Sequence, residues 1–345
     1  MGGAGKDTIT TAVGNSDERI DGGSGADVIS GKAGQDTILG RAGADTINIE
    51  GANAAGTSRV VRAGADNDKI VFDNAAFGQL NINDTYAGEN GTDTIALIGA
   101  LANYDMSAIG SVAATSLDNV TAETFALGST STNEATLAGT ISHTFSAQAQ
   151  TSGFRTFDAT HTTTTVTDTH RVLNISAAAY TSAAGVTMSG SADKDVIVKL
   201  VGGSGADTLN DGAASDGAVD TLTGGAGIDT FNVSATTAST AITDLGVGGV
   251  SDIFTVSAAA NGADIVTAGD YVATAATSNN KSLAGVTLTV GNGFDLNMTA
   301  ATGNFGFDID GGATASTLQG SAKADSIAGG AGSDSLVGNA GNDTI

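Results

Sequence analysis

Apolar positions along this chain follow two patterns, and neither is helical. In the first, one aliphatic residue returns every nine: Ile309, Leu318, Ile327, Leu336 and Ile345 keep that interval without a break. A constant spacing over several units is not a product of composition. In the second, found over about 96–187 and 233–308, short runs alternate between apolar and polar residues, as in Val286-Thr287-Leu288-Thr289-Val290 and Phe294-Asp295-Leu296-Asn297-Met298. Such alternation predicts strands with one buried face. Thr and Val favour sheet, Gly and Asn punctuate it, and no amphipathic run of three helical turns is present. An all-β chain is therefore predicted. The two alternating stretches read either as wider coils of the same architecture or as a small inserted β-domain.

The nine-residue unit is clearest where GGSGADVIS, GKAGQDTIL and GRAGADTIN run end to end over residues 22–48. Gly holds the first and fourth places, Asp the sixth and an aliphatic residue the eighth. The glycines permit positive φ and let backbone carbonyls converge on a cation, the Asp brings a carboxylate, and the aliphatic side chain points into the core. A flexible Gly/Asp linker would have no use for a core residue at every ninth position.

Copies of the unit fall in three clusters, which divide the chain into 1–95, 188–232 and 309–345, separated by the β-rich stretches 96–187 and 233–308. Within the first cluster the candidate metal-holding residues are Gly3, Gly5, Asp7, Asp17, Gly22, Gly23, Gly25, Asp27, Gly31, Gly34, Asp36, Gly40, Gly43, Asp45, Asp68 and Asp93. In the second they are Asp195, Gly202, Gly203, Gly205, Asp207, Asp220, Gly224, Gly225, Gly227 and Asp229. The third supplies Gly320, Asp325, Gly329, Gly330, Gly332, Asp334, Gly338, Gly341 and Asp343.

Charge points to the same chemistry by an independent route. The 345 residues include 37 acidic and 13 basic ones, a net charge of -24, and only five of the acids are Glu. An ordinary solvated acidic surface would use Glu at least as often. The shorter carboxylate suits a tight-loop oxygen cage for a hard cation. Without metal the facing carboxylates repel and the glycine-rich turns cost conformational entropy, so binding free energy becomes folding free energy. Affinities of about 10⁻⁴ to 10⁻³ M are expected of extracellular sites of this kind.

On these motifs the chain resembles the RTX (repeats-in-toxin) group of secreted bacterial proteins. The resemblance implies a right-handed parallel β-roll, or β-helix, in which six residues make a turn, three make a strand and two units complete a coil. It also implies several Ca2+ ions, roughly six to ten here, each between stacked turns and held by sixth-place Asp residues and glycine-region carbonyls. Facing carboxylates should then lie eighteen residues apart. Asp27 with Asp45 and Asp325 with Asp343 meet that spacing; Asp7 with Asp27 and Asp17 with Asp36 come close. Ser316 stands where an Asp is expected opposite Asp334, which predicts a weak site, and Asp207 to Asp229 is too long by four.

Other chemistry finds little support. The three histidines, His143, His161 and His170, form no zinc motif, and no Cys is available for a disulfide, a thiolate site or a nucleophile. No nucleophile elbow or P-loop occurs, and an acidic chain makes a poor nucleic-acid surface. No apolar run reaches the length of a membrane span. A protein without enzymatic activity is expected, located outside the cell or on a bacterial surface and exported by type I secretion. Both ends interrupt the repeat pattern, as expected of a segment of something longer. The leading expectation is a calcium-dependent structural protein whose partners are copies of itself, in a surface layer (S-layer) or filament, with cell-surface polysaccharide as a further partner. The alternatives are an adhesin or biofilm-matrix segment and the secretion and folding tail of a larger enzyme.

Overall fold

The architecture comes from a computed structural model that describes residues 1–11, 16–50, 58–73, 85–101, 124–127, 135–137, 141–145, 150, 154–160, 162–164, 171–191, 193, 195–212, 219–236, 239–258, 260–281 and 285–345. His161, His170 and the end of the Thr-rich tract, 165–169, lie outside them. Every strand pair among the described residues is parallel, and a 3-10 turn lies at Val247–Gly249. The chain divides into two compact units, Met1–Thr165 and Val166–Ile345.

Over residues 1–101 of the first unit, each sixth-place Asp is followed by a short strand, and successive strands fall alternately into two parallel sheets. One sheet runs Gly3–Ala4, Arg19–Ser24, Thr37–Ala42, Val60–Ala65, Thr85–Asn90. The other begins Thr8–Thr10, Val28–Gly31, Thr46–Ile49, Lys69–Asp73, Thr94–Leu101. Two units thus complete one coil of a β-solenoid. The eighth-place residues stack in register, Ile29 on Ile47, Ile70 and Ile95 in one sheet, Ile20 on Ile38, Val61 and Tyr86 in the other, and all are buried. Each such side chain removed from water contributes about 1.5–3 kcal/mol. Tyr86 meets Phe72 edge to face, with ring centroids 4.9 Å apart.

The second unit repeats this construction with longer coils. Ile175, Leu200, Leu222, Ile242, Ile265, Leu288, Ile309 and Ile327 form one buried column across its main sheet. Steps between them are 25, 22, 20, 23, 23, 21 and finally 18 residues, read from the numbering. The stretch between the second and third clusters therefore supplies wide coils, stacked in register with the repeats, instead of a separate inserted fold. A second sheet pairs Thr208–Asn210 with Thr230–Val233 and then Ile253–Val256, and a third runs Tyr271–Val272, Leu296–Asn297, Thr317–Gln319, Ser335–Val337. The extra residues of a wide coil enter at its turns. Core stacking survives because only the strand positions must match.

One backbone position shows why the second-place glycine is used. Gly23, Arg41, Gly64 and Glu89 stack in one column, with φ of 109°, 90°, 125° and 76°. All four lie at the left-handed angles that L side chains avoid. Arg41 tolerates the position while its guanidinium pairs with Asp21 through contacts of 3.1 and 2.9 Å.

Candidate metal sites

The turns of the first unit carry a row of carboxylates along one edge. Each sixth-place Asp offers Oδ1 to the backbone amide of its counterpart one coil earlier: Asp7 N–H to Asp27 at 2.8 Å, Asp27 to Asp45 at 2.8 Å, Asp45 to Asp68 at 2.8 Å, Asp68 to Asp93 at 3.0 Å. Spacing along the row runs 20, 18, 23 and 25 residues, so the register follows the strands instead of a fixed count. Asp27, Asp45, Asp68 and Asp93 are all buried.

The second oxygen of these carboxylates has no hydrogen-bond partner. Oδ2 of Asp7, Asp27, Asp45 and Asp68 is buried in each case without one. Burying a charged oxygen unsatisfied is costly, and native proteins seldom do it without a ligand. Oδ2 of Asp7, Asp27 and Asp45 faces the first-place glycine of its own turn, Gly2, Gly22 and Gly40 respectively. A Cβ on Gly22 would come within 2.6 Å of Asp27 Oδ2 and 2.9 Å of the Gly40 carbonyl oxygen; on Gly40 it would collide with Asp45 Oδ2 and the Ala63 carbonyl. Carboxylate and carbonyl oxygens of two coils thus border a space that any side chain would fill.

This donor set contains oxygen only, as a hard divalent cation such as calcium prefers. Among the described residues no three carboxylates or imidazoles converge on one point, so backbone carbonyls must complete any cage. The residues fit calcium on those terms. Asp7, Asp27, Asp45 and Asp68 would hold it, with the first-place carbonyls of Gly22, Gly40 and Ala63 bordering the same space.

Electrostatics agrees. Burial, reinforced by the charges of Asp45 and Asp93, pushes the Asp68 carboxyl up to about 7 against the opposing hydrogen bond from the Asp45 amide. Asp45 is raised for the same reasons. In the second unit, burial and the charges of Asp207 and Asp252 raise Asp229 to about 7. A divalent cation between such groups would remove the cause.

Elsewhere the predicted residues meet a range of partners. Asp207 N–H donates to Asp229 Oδ1 at 2.8 Å although their spacing is 22, and Asp229 N–H donates to Asp252 at 2.9 Å. Asp252 thus extends the row. Asp325 N–H reaches Asp343 at 3.0 Å, and Ser316 N–H reaches Asp334 at 3.0 Å. In this unit Oδ2 is already engaged by the turn itself: Gly203 N–H donates to Asp207 at 2.6 Å, Gly246 N–H to Asp252 at 2.7 Å and Ser321 N–H to Asp325 at 2.7 Å. A cation at these turns would have to compete with those amides.

Two pairs of candidates do not face one another. Asp17 does not face Asp36: its carboxylate accepts the Gln35 amide at 2.9 Å, while Asp36 accepts the Glu18 amide at 3.2 Å. The strand register, Arg19 opposite Thr37, sets this one-residue offset. Asp195 and Asp220 are not brought together, because Lys199 pairs with Thr221 and so places Asp220 opposite Val198, whose amide it accepts at 2.8 Å. Burial raises Asp220 to about 7. Neither Glu18 nor Asp252 stands among the sequence candidates. Asp252 was detectable, since Asp252-Ile253-Phe254 repeats the order of Asp229-Thr230-Phe231.

Parallel coils bearing stacked glycine turns and rows of buried carboxylates define the protein as a parallel β-roll. The RTX calcium-binding nonapeptide repeat matches residues 13–47 and 310–345, in four copies, and the chain carries repeats of that family. The match does not extend to 202–232, where the coil is 22 residues long instead of 18. RTX repeats bind calcium and occur in secreted proteins. No curated protein and no solved structure matches the chain. Among the described residues no helix is long and apolar enough to cross a membrane.

Proposed function

We propose that the protein is a secreted, non-catalytic structural component of a bacterial cell surface, exported by type I secretion, whose copies assemble into a layer or filament once calcium has folded the roll. The observation that carries the calcium step is the row Asp7, Asp27, Asp45 and Asp68, each with a buried oxygen lacking a hydrogen-bond partner. Calcium neutralises that row and closes its turns. Assembly is supported by the charge of -24, which sets copies of the chain against one another until cations bridge them. The test is circular dichroism with light scattering during titration from chelator to about 10 mM calcium, a range that brackets extracellular sites. A cooperative gain of β signal followed by particle growth is expected. Identical assemblies in excess chelator would refute the proposal.

A second reading, adhesion to an anionic surface polysaccharide, is favoured by one feature of the first unit. A cavity of about 470 Å³ lies over the strands Thr37–Ala42, Val60–Ala65 and Thr85–Asn90, lined by Leu39, Arg41, Arg62, Glu89 and Asn90. It gathers two of the chain's 13 basic residues. Under this reading the calcium-loaded protein stays monomeric and Arg62→Ala weakens binding to a carboxylated glycan.

A further inference from the structure

The opposite edge of the first unit carries a second row of turns, and it is built differently. Glu18, Asp36 and Arg59 occupy one column, since Arg19 pairs with Thr37 and Thr37 with Val60. Arg59 therefore stands in the sixth place of its coil, the place that Asp7, Asp27, Asp45, Asp68 and Asp93 hold in the neighbouring row. Its side chain is 1 % exposed. Nη2 donates to the carbonyls of Lys32 at 2.7 Å and Gly34 at 3.4 Å, and Nε lies 3.7 Å from Asp36 Oδ2. Lys32, Gly34 and Asp36 are the second, fourth and sixth places of GKAGQDTIL. A carboxylate and turn carbonyls, the oxygen types that border the cradle on the other edge, here converge on a guanidinium.

We infer that Arg59 is a built-in cation that takes the place of calcium at this turn and keeps it closed when calcium is absent. The guanidinium carries its charge at any physiological pH and presents a planar fork of donors suited to carbonyl and carboxylate oxygens. It occupies the position from which a sixth-place carboxylate would have to act. The turn is thus excluded from the calcium count, and one edge of the roll holds charge compensation that no chelator can strip. This rests on the calcium reading of the neighbouring row.

Calcium stoichiometry by equilibrium dialysis and the calcium midpoint of folding by circular dichroism, both on the full chain, test it. Arg59→Asp is expected to bind one calcium more than the unsubstituted chain. Arg59→Met is expected to bind the same number but to fold only at calcium raised by about tenfold or more, because a buried carboxylate loses its partner. Arg59→Lys should fall between the two midpoints. The inference is overturned if Arg59→Asp folds with an unchanged calcium count, if it fails to fold at saturating calcium, or if Arg59→Met leaves the midpoint where it was. Should the unsubstituted chain bind no calcium at all, the reading of the neighbouring row fails. Arg59 is then judged by Tm in chelator: a lower value in Arg59→Met supports its role as an internal cation, and an equal one overturns it.

Discussion

The backbone amide of Asp27 donates to Oδ1 of Asp45 across 2.8 Å, one coil away, while Oδ2 of the same Asp45 is buried beside Gly40 with no hydrogen-bond partner. One oxygen holds the coils in register, and on the proposed calcium reading the other is the one a cation would meet. On that reading structure and ligation are separable in a single side chain.

Asp45→Asn tests that separation. The amide oxygen can still accept from Asp27, but the charge is gone. Calcium affinity is expected to fall on the order of tenfold at this turn. In chelator the variant should be the more stable form, because burial and the charges of Asp27 and Asp66 already raise the Asp45 carboxyl. Chemical denaturation with and without calcium reads both effects; a variant destabilised equally in the two conditions would mean that Asp45 serves only the backbone.

Gly40→Ala should damage the same turn from the opposite side. An added methyl collides with Asp45 Oδ2 and the Ala63 carbonyl. Overpacking of this kind costs about 1–3 kcal/mol. Because it fills the cradle as well, the calcium midpoint should rise, and calorimetric titration should find at least one site missing.

Acidity should act in opposite senses with and without calcium. Asp68 and Asp229 are pushed up to about 7, above the value of an unfolded chain, so the metal-free fold binds protons more firmly than the unfolded state does. Stability is then greatest below about pH 4 and is lost progressively as pH rises from there through 7. With saturating calcium the order inverts, since protons and metal compete for one set of oxygens. Tm measured from about pH 4 to pH 8 in chelator and in calcium should give two curves that cross; parallel curves would exclude these carboxylates as ligands.

Asp211 offers a control in which no metal takes part. It is buried, and its oxygens accept the Ser234 amide at 2.9 Å, the Ser234 hydroxyl at 2.9 Å, the Ala235 amide at 3.0 Å and the Thr240 hydroxyl at 2.8 Å. Asp211→Ala orphans the amide of buried Ala235 and the hydroxyl of buried Thr240 and should cost about 3 kcal/mol. Calcium affinity should stay unchanged in titrations of the folded variant, and an altered affinity would place Asp211 in the ligand network.

What the sequence made legible is whatever one repeat encodes by itself. Asp27, Asp45 and the column Ile29, Ile47 follow from a period of nine because both turns between them are of minimal length. Glu18 opposite Asp36, and Asp229 opposite Asp207 and Asp252, depend on strand pairing between coils of unequal length, and counting residues does not reveal which strand positions align. Arg59 escaped for a chemical reason: a search for carboxylates passes over the cation that replaces one. Asp211 escaped because its partners, Ser234, Ala235 and Thr240, lie in a turn more than twenty residues away.

The ladder of carboxylates also has a direction. Asp7 gives its amide forward to Asp27, Asp27 to Asp45, Asp45 to Asp68 and Asp68 to Asp93, never the reverse. No turn in the row is complete until the coil that follows has been laid against it. In a chain emerging amino end first, order trails emergence by one coil, and the newest turn always waits for the next to close it.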